Sequence, residues 1–135
     1  MSYKIDEIEG IGPTYAARLK DAGIDTTGDF LKLCCDAKGR EAIANSSGIS
    51  GKLILSWANM ADLMRVNGVG RQYAELLHAA GVDTIKELRT RNAANLAAAM
   101  KQVNDEKNLA NACPGATAVQ DWIDKARDID PLITH

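Results

Sequence analysis

Apolar residues recur every three to four positions through most of the chain. In residues 15–22, and again in residues 73–80, Tyr, Leu and Ala side chains follow this spacing. A recurrence of this period is typical of amphipathic helices, and no segment shows the strict alternation of a half-buried strand. Glycine, proline or a capping residue interrupts the pattern at short intervals. The pattern predicts an all-α fold of about ten short helices.

The chain contains an internal repeat. The segment EGIGPTYAARLKDAGIDT returns later as NGVGRQYAELLHAAGVDT. A looser match follows each copy and is anchored by Trp57 and Trp122. No flexible linker separates the copies, so we expect two repeats, residues 1–63 and 64–135, packed as one body.

Capping signals predict where the helices begin and end. Thr26 precedes Asp29 with the spacing of a capping box, and Thr84 precedes Glu87 in the same way, as the fuller box of the two. The other predicted features are N-caps at Ser50, Asn92 and Thr117 (with Gln120 completing a box), C-caps at Gly23 and Gly81, helices at 38–45 and 109–112, and a helix from residue 51 to Gly68.

The order hydrophobe-x-Gly-hydrophobe-Gly-x-x-x-Ala in IEGIGPTYAARL and VNGVGRQYAELL resembles the helix-hairpin-helix motif. SGISGKLILSW resembles a third copy with Ser50 in place of the second glycine, and CPGATAVQDW a poor fourth. Four hairpins in pairs would form a duplicated double unit. The whole chain is similar to a bacterial family of uncharacterised domains with this build. The resemblance implies a fold and carries no activity with it.

Glycine suits a sharp turn between two helices, because it adopts backbone angles that other residues avoid. We therefore expect Gly12→Val and Gly70→Val to destabilise the protein. The resemblance further implies that the turn amides bind a phosphate oxygen, assisted by a following Lys or Arg, and that the turn carbonyls sometimes hold a monovalent cation. The candidate phosphate-binding residues are Gly10, Gly12, Thr14, Ser50, Lys52, Gly68, Gly70, Arg71 and Gln72.

The charge balance leaves two functions open. The chain has 16 basic and 18 acidic residues, whereas a dedicated nucleic-acid binder is usually basic. The first hypothesis is a non-enzymatic module that binds the backbone of DNA or RNA without sequence preference, weakly and salt-sensitively. The alternative is a protein-protein interaction or adaptor module with purely structural hairpins. A contiguous positive surface around Gly68–Gln72 and Lys52 would favour the first, and a neutral or acidic one the second.

Motifs for catalysis are lacking. His78 and His135 have no metal-ligand partner at useful spacing, and no nucleophile elbow or phosphate-binding loop occurs. We expect no enzyme activity, no cofactor and no metal. Trp57 and Trp122 are interpreted as core anchors, with base stacking by exposed rings as the alternative.

The three cysteines, Cys34, Cys35 and Cys113, do not suggest a disulfide framework. A cytoplasmic location is the simplest interpretation, and the Cys34–Cys35 pair would be reactive only if a positive charge lowered a thiol pKa. No apolar run approaches the length of a membrane span, so we expect no membrane partner.

Overall fold

The computed structural model describes residues 2–135, in which eight α-helices and one short 3-10 helix occur without a β-strand. The predicted all-α class is confirmed. The elements in chain order are the 3-10 turn η1 (Ile5–Glu7) and the helices α1 (Pro13–Asp21), α2 (Thr27–Cys34), α3 (Ala37–Ser47), α4 (Gly51–Leu63), α5 (Arg71–Ala79), α6 (Ile85–Leu88), α7 (Ala93–Lys107) and α8 (Ala116–Arg127).

The predicted number of helices is slightly too high, because residues 109–112 are not helical. The Asn104 side chain accepts a hydrogen bond from the Ala110 N–H at 2.9 Å and donates one to its carbonyl at 3.1 Å. These bonds use the backbone groups that a helix would need. Likewise α4 ends at Leu63 and does not continue to Gly68. Beyond its end the Arg65 N–H donates to the Asp62 carbonyl and the Val66 N–H to the Leu63 carbonyl, three residues back instead of the four of an α-helix.

The capping predictions have mixed outcomes. Thr26 and Asp29 form the complete capping box of α2, and Ser50 and Asn92 cap α4 and α7. Thr84 does not cap α6 with its side chain. Thr117 lies inside α8, whose N-cap is Gly115, so that prediction is wrong.

The two repeated stretches end their helices in the same way. After α1, the Ile24 N–H reaches back to the Leu19 carbonyl at 2.9 Å, and after α5 the Val82 N–H reaches the Leu77 carbonyl at 2.9 Å. This is the six-to-one bond of a Schellman motif, which satisfies carbonyls that the helix leaves free. The bond accompanies a glycine with positive φ, Gly23 or Gly81, just past the C-cap residue of each helix, as the sequence predicted.

Both tryptophans lie in the core. Trp57 is 2% exposed and Trp122 is 5% exposed. Trp57 packs against Tyr15 and Trp122 against Tyr73, each with ring centroids 5.1 Å apart. The prediction of core anchoring is confirmed. Stacking on nucleic-acid bases would need exposed ring faces, which these side chains do not have.

Long-range polar contacts connect the beginning, middle and end of the chain. The buried carboxylate of Asp62 in α4 accepts a hydrogen bond from the Ile85 N–H at 2.9 Å and therefore caps α6 from a distance. The buried guanidinium of Arg40 donates to the carbonyls of Cys34 and Thr134, which holds the carboxyl-terminal segment against the first half. These contacts bring the two halves together, and the boundary at residues 63 and 64 stays a prediction.

Candidate interaction surface

The two glycine turns have the same backbone conformation at their first glycine. Gly10 has φ of 95° and Gly68 has φ of 101°, a region that other residues rarely adopt. A Cβ at Gly10 would lie 3.3 Å from the indole nitrogen of Trp57, and one at Gly68 would lie 3.1 Å from that of Trp122. Glycine is therefore required at both positions by backbone angle and by the tryptophan behind the turn.

The second glycine of each turn does not need to be glycine for folding. Gly12 and Gly70 are the N-caps of α1 and α5, with φ of −89° and −99°, which any residue can adopt. A Cβ would meet no heavy atom within 4 Å at either position among residues 2–135. The backbone strain predicted for Gly12→Val and Gly70→Val is therefore wrong. The positive φ that favours glycine occurs at the first glycine of each turn, Gly10 or Gly68.

Arg71, the main cationic candidate, is engaged within the protein. Its guanidinium donates to the carbonyls of Asp6 and Glu7, the latter at 3.1 Å, and lies 3.4 Å from a carboxylate oxygen of Glu9. Glu75 is a further acidic neighbour. The contact brings the start of α5 against the segment that leads into the first turn. It also places the Glu9 and Glu75 carboxylates beside the cation.

Of the remaining candidate phosphate-binding residues, two make hydrogen bonds within the protein and two are exposed. The Ser50 hydroxyl accepts a hydrogen bond from the Leu53 N–H at 3.3 Å, and the Gln72 side chain accepts one from the Asn111 N–H at 3.3 Å. Thr14 and Lys52 are exposed in the first turns of α1 and α4. Neither takes part in a side-chain hydrogen bond or ion pair in the part of the chain that the structure describes.

A groove lies between the first turn, α4, α5 and the end of α7, and we call it the inter-repeat groove. Its volume is about 550 Å³, and its lining includes Glu9, Gly10, Leu53, Trp57, Met60 and Glu75. Lys107, His78 and Leu109 also line it. The groove combines an apolar floor with a rim that carries both signs of charge.

Two ionisable side chains have shifted pKa values that bear on function. Burial, and then the neighbouring Glu9 carboxylate, raises the pKa of Glu75, and Arg71 only partly offsets this. Burial raises the pKa of the Cys34 thiol to about 12, with Arg40 opposing. A thiol of that pKa stays protonated at neutral pH, so the condition for reactivity, a thiol pKa lowered by a positive charge, is not met at Cys34.

Sequence reasoning missed the inter-repeat groove, because its lining residues come from four separate segments. One local signal was present: Glu9 stands directly before the first glycine, where the second copy has Asn67. Within residues 2–135 no cluster of three or more His, Cys, Asp or Glu side chains is arranged to hold a metal ion. In the same range no helix combines the length and apolar character needed to cross a membrane.

The fold and surface define an all-helical domain with two matching glycine turns. The model of a family described as "Domain of unknown function (DUF4332)" matches residues 9–129. The chain belongs to this family. A comparison with curated proteins found no match, and a comparison with solved structures found none either.

Proposed function

We propose that this chain is a non-enzymatic protein-interaction module in which helix-hairpin-helix turns build a two-repeat scaffold. The observation that carries the proposal is the engagement of Arg71 by Glu9 and by two carbonyls of the preceding acidic segment. It leaves the second turn without the free cation that phosphate recognition uses. The inter-repeat groove supports the same proposal, since an apolar floor with a mixed polar rim is typical of protein contact sites. The three free thiols support the cytoplasm as the compartment.

Site-specific photo-cross-linking in cells tests this function. A photoreactive amino acid replaces Lys107, which lines the groove, and in a matched control it replaces the exposed neighbour Glu106, which does not. We expect a discrete protein adduct from position 107 that position 106 does not give. Equal adducts from both positions, or adducts that nuclease removes, would contradict the proposal.

A second candidate function, binding to the backbone of DNA or RNA, is favoured by the second glycines. Gly12 and Gly70 leave open space beside helix starts whose amides no side chain caps within the described residues. Such a helix start favours anions, and a bare backbone allows a phosphate to approach closely.

Salt-dependent fluorescence anisotropy with duplex and single-stranded DNA tests this second candidate. If it holds, Arg71→Ala weakens binding to all sequences equally and lowers the salt slope by about one. Thr14→Lys strengthens binding, because it adds a charge beside the first turn. Glu9→Gln also strengthens it, because it removes the carboxylate that competes for Arg71. Absence of binding by the unmodified protein at low salt eliminates this candidate and leaves the protein-interaction proposal in place.

A further inference from the structure

The floor of the inter-repeat groove is apolar, with Leu53 and Leu109 partly exposed and Trp57 and Met60 buried. Leu53, Trp57 and Met60 present one side of α4 to it, and Leu109 closes it from the segment after α7. A volume of about 550 Å³ lies within the usual range of ligand sites. The groove is therefore large enough for two or three amino-acid side chains of a bound segment.

The indole N–H of Trp57 lies beside Gly10 at the edge of this floor. Apart from the chain neighbours of Gly10, the Trp57 indole nitrogen is the only heavy atom of residues 2–135 within 4 Å of a Cβ placed on Gly10, and both residues line the groove. Its N–H makes no hydrogen bond within residues 2–135, although Trp57 is only 2% exposed. A buried indole N–H normally finds an acceptor. In the same range Asn59 Oδ1 is the only fully buried side-chain polar atom without a partner, so the Trp57 nitrogen keeps contact with solvent at the groove.

The Glu75 carboxylate lies on the same groove, with Arg71 as a partly compensating neighbour. Glu75 makes no direct hydrogen bond or ion pair in residues 2–135, whereas the nearby Glu9 carboxylate lies 3.4 Å from the Arg71 guanidinium. Burial, and then the Glu9 charge, raise the pKa of Glu75, Arg71 offsets this only in part, and a bound cation would add to that offset. The other ionisable groups lining the groove are His78, which lies near Ser56 and Asp83, and Lys107 at the exposed end of α7.

We propose that the inter-repeat groove binds a segment of a partner protein in which a basic side chain is flanked by apolar ones. A main-chain carbonyl of the segment accepts from the Trp57 indole N–H, and the guanidinium or ammonium group pairs with Glu75. The flanking side chains pack against Leu53 and Leu109. This inference rests on the proposed protein-interaction function and adds the chemistry of the partner.

Nuclear magnetic resonance on the full-length ¹⁵N-labelled protein gives a direct readout, because the chain has two tryptophans and hence two indole N–H signals. Trp122 has the same relation to its glycine as Trp57 but does not line the groove, so its signal is an internal control. The probes are the peptide acetyl-Leu-Arg-Leu-amide and the same peptide with citrulline, an uncharged analogue of arginine. We expect the arginine peptide to move the Trp57 signal saturably and to bind about tenfold more tightly than the citrulline peptide.

Glu75→Gln should remove the preference for arginine, and Glu106→Gln, at an exposed position outside the groove, should keep it. An unchanged position of the Trp122 signal, which lies outside the groove, shows that each free variant is folded. Equal binding of the arginine and citrulline peptides overturns the inference while leaving the protein-interaction function intact. Equal movement of both indole signals overturns it as well, as does a Trp57 signal that stays unmoved up to about 10 mM peptide. Failure of the cross-linking experiment at position 107 would instead count against the function itself.

Discussion

The first and second glycine turns have the same backbone but different neighbours. Gly10 and Gly68 share a positive φ and a tryptophan behind the turn. The first turn is preceded by Glu9 and opens onto the inter-repeat groove. The second is followed by Arg71, and the Lys125 ammonium donates to its Asn67 carbonyl at 3.2 Å. A repeated sequence thus produces a repeated local shape, while the chemistry available at each turn depends on what packs against it.

The helices that follow the two turns differ in the same way. In the first repeat α2 is capped by its own Thr26 and Asp29. In the second, α6 is only four residues long and takes its cap from Asp62 of α4. The start of α6 therefore depends on a side chain of α4, whereas α2 is capped by its own residues, and the following variants test this difference.

Of these variants, Asp62→Ala should have the largest effect on the stability of the protein. It removes the cap of α6 and the 2.8 Å ion pair with Arg65. Because the carboxylate is fully buried, we expect a loss of about 3 kcal/mol in the free energy of unfolding, measured by urea titration. Asp124→Ala, which removes an exposed carboxylate paired with Arg127 in α8, is the control and should have little effect. A small effect of Asp62→Ala would show that α6 does not need this cap.

Serine substitutions separate the two glycines of each turn. Gly10→Ser and Gly68→Ser should each cost about 1–3 kcal/mol, because a side chain there is strained and meets the indole nitrogen. Gly12→Ser and Gly70→Ser should leave thermal stability unchanged or slightly raised, since serine is a good N-cap. Thermal melts of the four variants provide the measurement. A loss at Gly12 or Gly70 as large as that at Gly10 would contradict the assignment of the strained position.

The two capping threonines should respond differently to loss of the hydroxyl. Thr26→Val removes the bond that the Asp29 N–H donates at 3.0 Å and should cost about 1 kcal/mol. Thr84→Val should cost less, because the Thr84 side chain does not cap α6. Chemical denaturation of both variants compares the two repeats directly, and equal losses would mean that Thr84 caps α6 in solution.

Substitution of Asp29 should have the smallest effect on stability, and this effect should depend on pH. The pKa of Asp29 is lowered, first by the hydrogen bond from the Asp25 backbone N–H; burial opposes this in part, and smaller contributions from the Thr26 bonds and from Lys32 lower the pKa further. A lowered pKa in the folded state means that the stabilisation is present above the unfolded-state pKa and is lost as pH falls through the folded value. Asp29→Asn should therefore be less stable than the unmodified protein at neutral pH, and the difference should shrink in acid. Melting temperatures measured between neutral and acid pH would contradict this if the difference stayed constant.

Sequence patterns identified the features that depend on near neighbours. The Thr26 capping box, the Ser50 and Asn92 caps and the Gly23 and Gly81 helix ends each involve residues within about five positions, and the structure has them all. The helix start at Thr84 was right, but the Thr84 side chain does not cap α6, and the Ile85 N–H donates instead to Asp62 through space. The prediction at Thr117 was wrong because the N-cap position of α8 is Gly115. Asp62 could have been suspected, since it is a carboxylate inside the apolar run of α4.

Only the tertiary structure decided which groups contact the side chains of the candidate site. The sequence by itself determined that two equivalent glycine turns precede helices, because glycine, apolar spacing and caps act over a few residues. It did not determine whether Arg71 is free, because its partners at Asp6 and Glu7 lie 65 and 64 positions away. It also left the Arg40 contact to Thr134, 94 positions apart, and the groove beside Trp57 unseen. Packing brings these distant groups together, and the electrostatic environment of a side chain depends on every group within a few ångströms, whatever its position in the chain.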